Sequence, residues 1–457
     1  MAGGSQLLEA LRDPVSVFAL SLRDLESLIH EAKRLDLLAR LAEDLEATGQ
    51  LDRLPRRAQD LLFDAKTYAH VNQTDIRFEV NRVMRALVAL EVPLILLKGG
   101  AYILAGLPPA RGRLAADLDI MVPQAWLAQV EQALLRAGWE QAELSAYDEH
   151  YYRAWMHEVP PFIHPERGVT LDLHHTILPR TSRYHPDPKA LAEAARPLPG
   201  GRLKVLCPAD MVLHSAVHLA NEEVNDASLR NLLDLRDLLQ EFGGRPAFWD
   251  ELTQRAALHG LQRPLAYVLR CLQALLGVSL PAETQRLAAP SGGMGTAIVD
   301  GLFATAITPR RKRRSLLQGG ARLALYMRAH WIKMPLAQLA GHLGYKAWLR
   351  WRPALMAPRS RAAPRADPKP VRTRLARSLI VRPRPTPPPG HAQDIGVGSP
   401  GGGLGRGRFH ANAERARGAP SVRRRAGRAR SGSSRTSRGQ ARRRRYPRSH
   451  RSIRYCA

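Results

Sequence analysis

The sequence predicts an α/β (α+β) fold: a small mixed sheet between flanking helices, then a helical C-terminal domain and a disordered basic tail. Three observations carry this. Apolar residues at helical spacing fill residues 5–90 and 209–275. Between them lie three short segments of strand character, 92–97, 117–122 and 169–178. The composition then breaks near residue 351, because residues 351–457 hold 28 of the 69 Lys and Arg but 3 of the 41 Asp and Glu. That segment carries +25 of the formal charge of +28, and residues 1–350 stand near +3.

Taken in order, Leu22, Leu25, Leu28 and Ile29 share one helical face, as do Leu35, Leu38, Leu41 and Leu45. Residues 56–90 fit one long helix ending in VMRALVALEV. The apolar run VPLILL (92–97) is a buried strand, delivering the chain into Lys98-Gly99-Gly100 and a helix beginning AYILAG. LPPARGR is a loop by its Pro and Gly content. DLDIMV (117–122) alternates acidic and apolar residues, as a half-buried strand does. Residues 124–137 form an amphipathic helix stopped by Gly138, and 139–178 are mainly β, closing with VTLDLHHTIL after a turn at 165–168. ADMVLHSAVHLA, LRNLLDLRDLL and PLAYVLRCLQALLG return to helix. Residues 284–308 favour neither period, and 315–350 suggest one or two basic helices rich in Trp and Leu. From about 353, Pro, Gly, Arg and Ser dominate, and such a segment buries too little apolar surface to offset its chain entropy. The expected division is 1–59 helical, 60–200 a domain carrying the sheet, 201–350 helical and 351–457 a disordered tail.

Several classes are excluded by composition. The basic excess sits in one tail, so a uniformly basic nucleic-acid-binding protein is not expected. Cys207, Cys271 and Cys456 are odd in number and far apart, which argues against a disulfide scaffold and a cysteine zinc site and for a reducing compartment. The first residues hold no apolar region of signal-peptide length, and no run of about 18 apolar residues occurs. A cytoplasmic protein without a transmembrane segment is the expectation.

The chemistry-bearing region is LILLKGGAYILAGLPPARGRLAADLDIMV, followed some fifty residues later by LDLHH. A strand that delivers its chain into Gly-Gly at a helix start leaves backbone N–H groups uncovered, and that is a phosphate cradle. Asp117 and Asp119, two apart on a strand, point to one side. Adjacent carboxylates are costly unless a cation sits between them, and oxygen ligands favour Mg²⁺ or Mn²⁺. Asp172, flanked by Leu171 and Leu173 in a neighbouring strand, completes a three-carboxylate set able to hold metal, position a triphosphate and activate a hydroxyl.

This order of motifs over roughly 60–275 resembles the nucleotidyltransferase superfamily with the DNA polymerase β-like fold, and more closely its uncharacterised bacterial nucleotidyltransferase family. The resemblance implies a phosphate-binding turn at Lys98, Gly99 and Gly100, a loop arginine at Arg113, catalytic and metal-binding carboxylates at Asp117, Asp119 and Asp172, and a substrate-facing His174. It implies Mg²⁺ or Mn²⁺ as cofactor, an NTP (ATP among them) as substrate, and an acceptor that is a small molecule, protein or RNA. The sixteen residues 101–116 make a longer connection than the general superfamily turn, and Gly100 offers no hydroxyl where other members have Ser.

Each residue also has a plainer reading. Arg113 is equally a solvated loop charge, and His174 a histidine fitted into the sheet. His214 and His218, four apart on one helix face, read as a packing pair rather than zinc ligands, because no third ligand or HExxH glutamate accompanies them. Asp234 and Asp237 read as packing or salt-bridging groups. The tail offers counterion-release binding to nucleic acid without sequence preference, and its Arg, Pro, Gly, Ala and Ser are also what an out-of-frame reading of a GC-rich gene would produce. Two further readings stay open beside transfer: a catalytically inactive NTP-binding or regulatory member of the fold, and a nucleic-acid-binding protein acting through its tail.

Overall fold

The leucine-rich start of the chain folds into α1 (Gln6–Arg12), α2 (Leu22–Arg34), α3 (Leu38–Glu46) and α4 (Arg56–Ala86). The computed structural model describes residues 5–141, 144–289, 294–309, 316–335, 337–341, 344 and 348, all within the first of two units, 1–379. Ser5 and Ser21 cap α1 and α2 by accepting from Leu8 N and Asp24 N, and Lys33 and Arg34 sit at the negative end of α2. Leu25, Leu28 and Ile29 of α2 and Leu38, Leu41 and Leu45 of α3 are buried, as their spacing requires. Helix α4 is 31 residues long and buries Leu62, Ala69, Ile76, Val80 and Val83 along one side.

The sheet follows: β1 (Leu94–Leu96), α5 (Lys98–Ala105), β2 (Asp117–Met121), α6 (Leu127–Arg136), β3 (Glu140–Gln141), α7 (Ala146–His150), β4 (Phe162–Ile163), β5 (Thr170–His174), α8 (Pro188–Ala194), β6 (Arg196–Pro197) and β7 (Leu203–Val205). Its order is β3-β4-β5-β2-β1-β7-β6. It is mixed: β2 runs parallel to β5 and β1 parallel to β7, while β1–β2, β3–β4, β4–β5 and β6–β7 are antiparallel. Leu118, Ile120, Leu171 and Leu173 are all 0% exposed, so one face of the central pair belongs to the core. The segment expected to be mainly β differs: Ala146–His150 is helical and continues into a π-helical turn, Tyr151–Trp155. The five aromatic and histidine side chains there pack edge to face, with Trp155 against Tyr147, His150 and Tyr151. Strand β5 stops at His174, before the Leu178 expected, and the turn before it uses Gly168 at φ 67°.

The second helical stretch is α9 (Pro208–Asn221), α10 (Ser228–Gly243), α11 (Pro246–Leu258), α12 (Gln262–Leu276), α13 (Ala282–Ala288), α14 (Met294–Ile307) and α15 (Leu316–Lys333). Helix α9 is buried almost all round, with α10, α11, α12 and α15 packed against it. Residues 294–307, where the sequence favours neither period, are helical because the apolar residues Phe303, Ala306 and Ile307 pack into the core beside α12 and α15. Cys207 and Cys271 are buried and free. Among the described residues, no helix is long and apolar enough to cross a membrane. The tail expected from about 353, Cys456 and the unit 380–457 lie outside the described residues.

The loop between α5 and β2 is fastened from several sides. Asn72 of α4 donates to Ala115 O at 3.0 Å and accepts from Ala115 N at 2.9 Å, and Gln73 donates to Ala110 O at 2.6 Å. Gly112, at φ 60°, lies against the backbone of α3: a Cβ there would stand 2.4 Å from Arg40 N and 2.5 Å from Ala39 C. Gly49 has φ 69° but open space around it. Gly49→Ala should therefore cost only the left-handed penalty, about 1–2 kcal/mol. Gly112→Ala must also push backbone from backbone and should cost clearly more. Urea denaturation of both variants checks this, and equal midpoints would mean α3 does not press on the loop.

Candidate active site

The parallel register of β2 and β5 pairs Asp119 with Asp172 and Met121 with His174. Alternation along each strand then places Asp117, Asp119, Asp172 and His174 on the face opposite the buried leucines. The carboxylate oxygens of Asp117, Asp119 and Asp172 lie within 4.8 Å of one another. Asp119 is buried, while Asp117 and Asp172 are partly exposed. His174 Nε2 stands 3.1 Å from Asp119 Oδ1 and Lys98 Nζ 4.0 Å from the same oxygen.

Electrostatics separates the three carboxyls. Burial and then Asp119 push Asp117 upward. Burial opposes ionisation of Asp119 as well, but Lys98 and His174 win and hold it well below the usual carboxylate range. Burial, then Glu158 and Asp119, push Asp172 up to about 7. Burial works to discharge Lys98, yet Asp119, Glu222 and Asp117 hold its ammonium above the usual value.

Lys98 opens α5 at φ 41°, a sparsely populated conformation for a residue with a Cβ. Leu97 provides no side-chain cap, so the first N–H groups of the helix carry no capping partner. The two glycines have a packing reason too. A Cβ on Gly99 would stand 2.3 Å from Arg113 Nη1, and one on Gly100 3.0 Å from Leu118 Cδ1. Both glycines are buried, with the turn seated on Arg113 and β2.

Arg113 is not a solvated loop charge. It is buried, its Nε donates to Asp234 Oδ2 at 3.0 Å, and its guanidinium lies 5.6 Å from the Tyr102 ring centroid. Asp234 and Asp237 are both buried ion-pair partners, Asp237 of Arg40. His214 and His218 are a packed pair with ring centroids 6.4 Å apart, and His218 Nδ1 is 3.1 Å from Glu222 Oε2. Burial and then Lys98 hold both imidazoles well below their usual value.

Three further residues join the site that the sequence motifs do not mark. Arg230 of α10 donates to Leu114 O at 3.5 Å, its Nε is buried without a hydrogen-bond partner, and its charge acts on Asp117. The imidazole of His157 and the carboxylate of Glu158 lie beside His174, with Glu158 Oε2 3.5 Å from His174 Nδ1. These two come from the segment between the π-helical turn and β4, read only as β in the sequence. Arg230 sits one turn before Asp234 in the apolar LRNLLDLRDLL run, and that i, i+4 spacing was the available hint.

A family model described as "Uncharacterised nucleotidyltransferase" matches residues 21–277, a span that holds every residue named in this site. No curated protein and no solved structure matches the chain.

The raised Asp172 has a measurable consequence. Its folded pKa of about 7 lies above the value of ~3.9 expected in an unfolded chain. The folded state therefore holds the proton more tightly, and this group's contribution to stability is full below pH ~4 and lost as pH rises to about 7. With a chelator present, Asp172→Asn should melt a few degrees above wild type at pH 8, with the gap narrowing toward pH 5. Added Mn²⁺ should close or reverse it. Chelated wild type melting at or above the variant throughout would sink the idea that the carboxylates repel one another.

Proposed function

The chain belongs to the uncharacterised nucleotidyltransferase family, and on that premise we propose that it transfers a nucleoside monophosphate from an NTP to a hydroxyl or phosphate acceptor, releasing pyrophosphate. The observation that carries this reading is the meeting of Asp117, Asp119 and Asp172 beside the uncapped start of α5. The donor set fits a divalent cation: three carboxylates within 4.8 Å, Asp117 pushed upward by burial and Asp119, and Asp172 by burial, Glu158 and Asp119, favour a hard ion such as Mg²⁺ or Mn²⁺. Bound there, the cation supplies a Lewis acid for phosphoryl oxygens.

The chain's own residues do the rest. The first N–H groups of α5, at Lys98, Gly99 and Gly100, face the outer phosphates, where a helix N-terminus favours negative charge. Lys98 adds a positive charge at the same corner. Arg113 is engaged by Asp234 through Nε and stands behind Gly99, and Arg230, whose charge acts on Asp117, is the second guanidinium assigned to the phosphates. The acceptor oxygen bonds to the α-phosphorus, the bond to the pyrophosphate oxygen breaks, and Asp172 takes the proton of a hydroxyl acceptor. His174 orients Asp119 through their hydrogen bond. Catalysis of this kind is mostly positioning and electrostatics. Residues 60–200 form the catalytic part in this reading, and the tail's +25 adds non-specific contact with nucleic acid. Free, buried Cys207 and Cys271 accord with a cytoplasmic setting.

The test is incubation with each labelled NTP, Mg²⁺ and a cell extract, followed by a search for labelled RNA, protein or metabolite. Asp117→Asn and Asp119→Asn should reduce label transfer by orders of magnitude without loss of fold. Transfer within a few-fold of wild type in both would refute the carboxylate assignment. Arg230→Ala should raise KM for the NTP about 10–100-fold, the worth of a hydrogen bond to a charged group, with Arg230→Lys intermediate. A KM unchanged in Arg230→Ala would remove Arg230 from the phosphate site.

A further inference from the structure

We propose that His157, Glu158 and His174 form a second cation site, of the two-histidine, one-carboxylate type that takes Zn²⁺, one hydrogen bond away from the three aspartates. This goes beyond nucleotidyl transfer and stands or falls without it. The ligand atoms of the three side chains all lie within 4.8 Å of one another. Their backbones are held together by the sheet: Glu158 and His174 form an antiparallel bridge, Val159 N donates to Leu173 O at 3.0 Å, and His175 N donates to His157 O at 2.9 Å. The imidazoles stand 5.1 Å apart, tilted by 38°.

The second observation is an orphaned nitrogen facing Glu158. His174 is 2% exposed, and while its Nε2 meets Asp119, its Nδ1 has no hydrogen-bond partner. Glu158 Oε2 lies 3.5 Å from His174 Nδ1 and 3.8 Å from His157 Nε2, within reach of one shared ion. A buried polar atom left unpaired costs free energy, and a cation reached by His174 Nδ1, His157 Nε2 and Glu158 Oε2 gives that His174 nitrogen a partner.

The donor chemistry selects the ion. Two imidazole nitrogens and a carboxylate are the ligand set of open four-coordinate zinc sites, whereas the neighbouring all-oxygen set suits Mg²⁺. Asp119 supplies what such histidines use behind the metal, a carboxylate accepting from the far ring N–H and so fixing ring and tautomer. The two sites would therefore share the Asp119–His174 bond while sorting their metals by softness.

The experiment uses the full chain, stripped with chelator and titrated with Zn²⁺ and then with Co²⁺ as a spectroscopic probe. One tight equivalent is expected, with the visible band of tetrahedral nitrogen and oxygen ligation. His157→Ala and Glu158→Gln should weaken it at least 10–100-fold, while Asp117→Asn and Asp172→Asn should keep it. Glu158→Gln preserves size and polarity, so it reports even if His157→Ala misfolds. No stoichiometric uptake would overturn the proposal and leave an imidazolium shared by Asp119 and Glu158. So would uptake lost in Asp117→Asn but indifferent to His157 and Glu158. Absence of label transfer with zinc uptake intact would count against the transferase reading alone.

Discussion

Strands β2 and β5 must pair in parallel with Asp119 opposite Asp172, and most of what the molecule can do follows from that register. The same pairing that gathers carboxylates on one face puts Leu118, Ile120, Leu171 and Leu173 on the other, where none is exposed. A slip of one residue would bury the acids and expose the leucines, so the apolar face fixes the register that the polar face uses. Clustering like charges is unfavourable by itself. Burial of the opposite face is what holds the acids together.

Buried ion pairs then join the helical stretches around this sheet. Arg40 of α3 binds Asp237 of α10, Arg113 before β2 binds Asp234 of α10, and Arg255 of α11 binds Asp210 of α9. Such pairs add little net stability over apolar residues, but removing one partner strands a buried charge at a cost of about 3–5 kcal/mol. They therefore specify an arrangement more than they strengthen it. Asp234 takes one donor of Arg113, while Arg230, a turn away on the same helix, donates to Leu114 O in the loop before Asp117.

The polar face extends past the aspartates. His174 touches Asp119 on one side and lies against Glu158 and His157 on the other, so a single β5 residue connects two clusters. Lys333, at the end of α15, lies beyond the family-matched span, yet its charge acts on Glu222, His218 and His157. Its helix end is tied to the segment after β5, where Thr181 Oγ1 donates to Lys333 O at 2.7 Å and Arg183 N to Ile332 O at 2.9 Å. An element outside the matched family thus adds charge to the site's surroundings.

The sequence by itself determined the local pieces. Helical spacing placed α4, α9, α10 and α12 near their true bounds and marked the buried faces of α2 and α3, and strand alternation placed Asp117 and Asp119 on one face, because both patterns are properties of neighbouring residues. It also placed Asp172 on a strand and Lys98-Gly99-Gly100 where a strand passes into a helix. Only the tertiary structure decided how non-local charges pair. It showed Arg113 locked to Asp234, brought Arg230 to the loop before Asp117, set Glu158 and His157 against His174, and turned 146–155 from the expected strand into helix. A charge's partner depends on which surfaces lose water together, and a π-helical turn on the aromatic rings that pack around it. Both are fixed by contacts between distant parts of the chain, and no local period in the sequence records them.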